Sequence, residues 1–270
     1  MRASEQVALQ PLPKLPAKEM AGPTPWSNWV IPGRVLAGAY PASLDDAETE
    51  RILTTLLELG VNTFVCLQAE VNINTPEHAW RAQHGLRPYI KDAQKILSKA
   101  HETGNPKITQ QKIDFLHLPI IDGNVTTDSA MNRLAEDVME RVLKGEKLYI
   151  HCWGGHGRTG TLVAVMLGRL FNMAYTTALR YTQAFHDARV YPQGVRSPQT
   201  PVQRAQVGCS PLQLGLPVCT ACTPLAWLGA TFCGALLAGD VAGVGLFASW
   251  HTLCPLLSSA CALLLQPSPP

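Results

Sequence analysis

Lys147 to Gly160 reads KLYIHCWGGHGRTG, and this stretch decides the fold. Lys147 to His151 has strand character, with Leu148 and Ile150 on one face and Tyr149 on the other. Gly160 to Leu170, GTLVAVMLGRL, is apolar nearly all round, as a buried helix is. Between them Cys152 and Arg158 enclose a loop containing Gly154, Gly155 and Gly157. A strand, a glycine-rich loop and a helix N-terminus together point backbone N–H groups at an anion. The glycines let the loop curl inward without Cβ clashes. Arg158 can grip two oxygens of a phosphate with its planar fork. Cys152 lies at the floor of this cradle, where positive potential favours the thiolate. A thiolate facing a bound phosphate is a nucleophile aimed at phosphorus. Thr159 can donate its hydroxyl to the sulfur and ease its departure in a second step. A lone cysteine is usually a buried core thiol. Its spacing from Arg158 and the intervening glycines favour the nucleophile.

The run His151-Cys152-x5-Arg158-Thr159-Gly160 resembles the signature of the cysteine-dependent protein-tyrosine-phosphatase superfamily. The Gly-Gly-x-Gly-Arg loop is similar to that of the atypical dual-specificity phosphatases, including members like the cyclin-dependent-kinase-associated phosphatase. The resemblance implies an α/β fold with a small, mostly parallel sheet flanked by helices in a single catalytic domain. It implies hydrolysis of phosphotyrosine in proteins, with phosphoserine and phosphothreonine as further substrates, through a phosphocysteine intermediate. Trp153, Gly154, Gly155, His156, Gly157 and Arg158 are then the substrate-contacting loop. The implied partner is a phosphorylated protein. No metal or cofactor is expected, because Arg158 and the loop amides supply the positive charge. Two alternatives stay open. One is a phosphatase of phosphoinositides, polyphosphate or RNA 5′-triphosphates; the other is a silent phosphate-binding module.

Expelling an alkoxide or phenolate requires a proton. Asp122 follows the strand-like run Lys112 to Ile121 and precedes Gly123. The resemblance gives it the general-acid role, since Pro119-Ile120-Ile121-Asp122-Gly123 is similar to the acid loop of dual-specificity phosphatases. A turn-forming aspartate is the plainer reading of Asp-Gly. Asp114 in mid-strand and Asp128 at a helix start are weaker candidates. Gln199-Thr200-x-x-Gln203 resembles the glutamine loop of tyrosine-specific phosphatases, which makes Gln199, with Gln203 behind it, the residue that orients the hydrolytic water. Ser197-Pro198 also reads simply as a helix N-terminus.

The rest of the chain builds a scaffold around this loop. Trp26 to Tyr40 reads as a strand pair about Pro32-Gly33, with Trp29, Val35 and Leu36 inward. Leu44 to Leu59 reads as a helix capped by Ser43 and stopped by Gly60. Val61 to Leu67 is a buried strand carrying Cys66, a core thiol or a redox partner of Cys152. Thr75 to His84 and Tyr89 to His101 read as helices. Their basic residues Arg81, Arg87, Lys91, Lys95 and Lys99 form a solvated face or border a groove for an acidic partner. A helix capped by Thr126 or Thr127 runs to about Leu143, and Tyr175 to Ala188 forms another.

The 270 residues carry a net charge of +2, which implies no nucleic-acid partner. Residues 1–25 are rich in proline and read as a disordered lead-in, with Pro13 to Pro16 in P-x-x-P spacing. Residues 26–207 form the phosphatase-like domain, whose two cysteines, Cys66 and Cys152, suit a reducing compartment, cytoplasmic or nuclear. No secretory leader is expected, since Glu5 interrupts the start. Over residues 208–270 Asp240 is the one Asp, Glu, Lys or Arg, and the remaining six of the eight cysteines fall there. This tail reads as a membrane anchor, as an apolar extension without structure, or as sequence outside the genuine coding frame. Only the anchor would bring the chain to a membrane.

Overall fold

The computed structural model describes residues 7–209. The readings of the tail beyond Cys209 lie outside the described residues. The strand pair forms as expected: β1 (Ser27–Ile31) runs antiparallel to β2 (Val35–Gly38). Gly33 supplies the left-handed φ of +70° in the turn. The other strands are parallel neighbours: β3 (Thr63–Gln68), β4 (Asp114–Ile120) and β5 (Leu148–His151). The sheet order is β1-β2-β5-β3-β4. The strand that delivers Cys152 is therefore central, and all four of its residues are buried. A central parallel strand is apolar because both faces are covered.

The described helices are α1 (Asp46–Glu58), α2 (Glu77–Arg81), α3 (Tyr89–Thr103), α4 (Asp128–Leu143), α5 (Gly157–Leu170), α6 (Tyr175–Asp187) and α7 (Pro201–Cys209). Two cores follow from the two sheet faces. Leu53, Leu56 and Leu57 of α1 and Ile90, Ala93 and Leu97 of α3 bury with Phe64, Cys66 and Tyr149. Met131, Ala135 and Val138 of α4, the apolar length of α5 and Phe185 of α6 bury with Val65, Leu148 and Ile150. The alternation along β3 and β5 thus feeds both cores. This is the expected α/β architecture, a small, mostly parallel sheet flanked by helices. No helix among the described residues is long and apolar enough to cross a membrane.

Four expectations need correction. Residues 7–25 do not form a disordered lead-in. Ala17 and Met20 are buried in the second core, Leu9, Leu12 and Leu15 pack against it, and the Val7 N–H donates to the Leu143 carbonyl at 2.8 Å. Prolines already restrict the unfolded segment, so docking it costs less entropy. The cap of α1 is Asp45, whose carboxylate accepts the Glu48 N–H at 2.6 Å, while Ser43 donates to the Glu48 carboxylate. Arg81 and Arg87 border no groove as free cations: both bond Asp46, and both lie over the Trp80 ring, at 4.4 and 4.6 Å from its centre. Only Lys91, Lys95 and Lys99 stand on the open face of α3. Finally, α5 begins at Gly157, three residues before the expected start, so Arg158 and Thr159 belong to its first turn.

Candidate active site

The loop after β5 is held from outside by its carbonyls. Trp153 O accepts from the Tyr40 N–H at 2.9 Å. Gly154 O and Gly155 O accept from the Arg189 guanidinium at 3.0 and 2.9 Å. His156 O accepts from Ser197 Oγ at 2.9 Å and from the Gly160 N–H. Gly157 O accepts from Thr161 Oγ1 at 3.0 Å. Among the described residues no acceptor faces the N–H groups of Trp153 to Gly157. The loop thus leaves a set of unbonded donors at the start of a helix, the arrangement that suits an anion.

Arg158 is 1% exposed and fixed by Glu70. Its Nη1 and Nη2 donate to the two Glu70 oxygens at 2.9 and 3.0 Å, and Nη1 also reaches Ile120 O. Asp122 forms an ion pair with Nη2 at 2.9 Å. Burial alone would lower the Arg158 pKa; the Glu70 bond and the nearby Cys152, Glu70 and Asp122 charges outweigh it and raise it. Burial pushes the Glu70 carboxyl up, but Arg158, its own backbone N–H and Gln68 together hold it below the usual range. Arg158 Nε has no hydrogen-bond partner, leaving a buried donor for an anion's oxygen.

Arg189 braces the loop from behind. It is 4% exposed, and its Nε donates to Asn28 Oδ1 at 2.9 Å. Burial lowers its pKa to about 10, with Tyr149 and Cys152 acting the other way. Neither Glu70 nor Arg189 figures among the residues expected from sequence. Glu70 left a trace, an acid just beyond a buried strand parallel to β5; Arg189, past the end of α6, left none.

His151 lies wholly buried beneath the loop, and burial pushes its pKa down to about 3. As a neutral ring it accepts from the Tyr89 hydroxyl at Nε2, 2.7 Å away, and turns Nδ1–H toward the Cys152 carbonyl at 3.3 Å. Its folded state stays neutral where the unfolded chain takes a proton, below about pH 6.5. Stability is therefore full above that pH and falls as the pH drops toward the folded value. Urea midpoints of the wild type should decline through this window, and His151→Gln should show a shallower decline.

The cleft above the loop encloses about 950 Å³. Of the expected site residues, Cys152, Trp153, Gly154, His156, Gly157, Asp122 and Gln199 line it. His156 Nδ1 meets His186 Nε2 at 2.7 Å, and its Nε2 meets Gln193 Oε1 at 3.0 Å. Burial and then the Arg189 charge lower the His156 pKa. Trp153 is 58% exposed and packs on Tyr40, ring centres 6.1 Å apart, so it walls the cleft rather than filling the core.

Two expected roles are corrected, those of Thr159 and Gln203. Thr159 is buried, and its hydroxyl makes no hydrogen bond, to the Cys152 sulfur included, because it is carried in the first turn of α5. Gly155 packs its Cα against backbone: an added Cβ would meet the Gly38 carbonyl oxygen at 2.2 Å. Gln203 is a strut, 1% exposed. Its Oε1 accepts the Gln199 and Thr200 N–H groups, and its Nε2 donates to Asn124 O at 3.1 Å. With Thr200 Oγ1 donating to Gly123 O, it ties α7 to the Asp122 turn. Gly155→Ala should cost about 2–4 kcal/mol, since its φ of +71° and the backbone contact both oppose a side chain. Chemical denaturation would check this.

Cys66 is buried on β3 opposite His151, and burial pushes its thiol up to about 12. Both Cys66 and Cys152 are free thiols. A thiol so hard to ionise fits the core-packing reading better than the redox one.

Residues 94–201 match the family described as "Swiss Army Knife protein, DSP-PTPase phosphatase domain". The chain is similar to "Putative tyrosine phosphatase 197R" of Invertebrate iridescent virus 6, 33% identical over 86 residues, 30% of this chain and 32% of that protein. It spans about a third of the length of such curated relatives. It is also similar to the crystal structure of Tk-PTP in the active form, at 20% identity and a TM-score of 0.45, over 68% of this chain and 94% of that one. PTPMT1 in complex with PI(5)P is similar at 18% identity and a TM-score of 0.45, over 68% and 92%. The signature loop from Cys152 to Arg158 lies inside the matched stretch, so residues 94–201 are similar to a DSP-PTPase phosphatase domain.

Proposed function

We propose that the protein hydrolyses phosphotyrosine in proteins, and phosphoserine or phosphothreonine as secondary substrates, through a phosphocysteine intermediate. One observation carries the reading: the carbonyls of Trp153 to Gly157 are all hydrogen-bonded within the protein while their N–H groups are left unbonded, a donor set for an anion beside Cys152. In the first step the Cys152 thiolate attacks phosphorus while the bond from phosphorus to the leaving oxygen breaks. Arg158 and the loop amides hold the equatorial oxygens. Asp122, at the mouth of the same cleft, gives its proton to the leaving oxygen. In the second step water attacks phosphorus, Asp122 takes a proton from it, and the sulfur leaves as thiolate. Gln199 lines the cleft where it can orient that water. Glu70 fixes the guanidinium plane of Arg158, so that Nε, and Nη2 once Asp122 turns to the leaving oxygen, face two phosphate oxygens. The exposed ring of Trp153 flanks the phosphorylated ring of the substrate.

The test is phosphate release by the full chain, with a chelator present, from phosphotyrosyl and phosphoseryl peptides, a soluble phosphoinositide and an RNA 5′-triphosphate. Chelator-resistant release, fastest from the phosphotyrosyl peptide, is expected. Faster release from the lipid or the RNA would replace the protein substrate. Phosphopeptide binding without release would make the site a binding module.

A further inference from the structure

Beside the cleft lies a second hollow of about 290 Å³. Tyr40, Ala42, Ser43, Leu44 and Trp153 line both spaces, so the hollow is continuous with the cleft. The rings of Tyr40 and Trp153, tilted 30° to one another, border both spaces. Trp80 and Leu86 form the far wall. The hollow's one charged lining residue is Arg87, and its guanidinium is already spent. It bonds Asp92 at 2.8 and 3.1 Å and Asp46 at 2.6 Å, and lies over Trp80. The Tyr40 hydroxyl donates to the Arg87 carbonyl at 2.5 Å, which fixes the floor. The hollow therefore offers mostly apolar walls, with Ser43 and Gln83 as its uncharged polar side chains, and no free charge, so a charged side chain entering it would lose water without gaining a charged partner.

We infer that this hollow is a substrate subsite, taking an uncharged, apolar side chain that neighbours the phosphorylated residue of a protein substrate. The inference deepens the phosphatase reading above and rests on it. Two observations choose the occupant. Leu44 and Trp153, on the shared rim, are 49% and 58% exposed, an apolar edge that a bound peptide would cover. Beyond Arg158 at the loop, the cleft lining carries Asp45, Glu48 and Asp122 and, among the described residues, no further Lys or Arg. One phosphate finds its donors in the loop, whereas a second would face those carboxylates. A peptide with one phosphate and an apolar neighbour fits both spaces; a head group with several phosphates does not.

The experiment uses the full chain and neutral phosphotyrosyl peptides with a glycine background, in which leucine is moved through each neighbouring position in turn. At one position leucine should lower KM roughly 10-fold, the scale of burying one such side chain, with kcat little changed. In Leu86→Gln and Leu86→Ala that leucine-to-glycine ratio should collapse toward one. Turnover of 4-nitrophenyl phosphate, which reaches only the cleft, is followed in parallel as the check on folding and chemistry. Intact aryl-phosphate turnover with equal KM for all peptides would overturn the subsite. Failure of the wild type to turn over the aryl phosphate would overturn the phosphatase reading itself. Faster turnover of a phosphatidylinositol monophosphate in phosphatidylcholine vesicles than of any peptide would replace the peptide with a lipid.

Discussion

Cys152→Ser should reduce phosphate release to background, a loss on the order of 10⁴-fold or more, as for removal of other catalytic nucleophiles. The serine hydroxyl is similar in size to the thiol but is not ionised near neutrality. The donor set around it does not depend on the sulfur. Arg158 stays held by Glu70 and Ile120, and the loop carbonyls stay held by Tyr40, Arg189, Ser197 and Thr161. The variant should therefore still bind phosphotyrosyl peptide, and a binding titration beside the rate assay separates the two. Loss of binding along with turnover would mean that the loop had collapsed. Residual turnover within ten-fold of the wild type would remove Cys152 from the mechanism.

Asp122→Asn should cost about 10²–10³-fold in kcat on phosphotyrosyl peptide, within the span of general acid catalysis. The same change should cost far less on 4-nitrophenyl phosphate, because nitrophenolate departs without protonation. This dependence on the leaving group distinguishes a proton donor from a structural aspartate. Asp122 also pairs with Arg158 Nη2 at 2.9 Å, and its side chain is 80% exposed. If its role were only to position Arg158, both substrates would slow alike. Asp122 sits where a donor must be movable yet anchored: its own side chain is open to the cleft, while Gly123 and Asn124 after it are tied to Thr200 and Gln203.

Much of the fold was legible along the chain because its signals are local. The strand pair about Pro32-Gly33, the apolar run Val61 to Leu67 and the apolar faces of α1, α4 and α6 follow from periodicity and turn chemistry, and they appear within a few residues of expectation. The misses are also physical. Asp45 displaced Ser43 as cap because Ser43 found a better acceptor in Glu48. Residues 7–25 looked solvated because their apolar side chains are spaced by prolines, without helix or strand period. They dock because Ala17 and Met20 find a core built from distant segments.

By itself the sequence determined the reactive loop. The order Cys152, three glycines, Arg158 and a following apolar helix dictates a donor cradle, since its chemistry is written within seven consecutive residues. It also placed Asp122 beyond a strand. Tertiary structure decided what holds and surrounds that loop. Glu70, Asp122 and Cys152 meet because β3, β4 and β5 run parallel and end at one edge of the sheet, a fact of pairing rather than of composition. Arg189, Ser197 and Tyr40 bind the loop's carbonyls from segments far away in the chain. Gln203 became a strut and Gln199 a cleft residue through the packing of α7 alone. Hydrogen bonds between remote residues leave no period to read, so these partners emerge only once the sheet has set the distances.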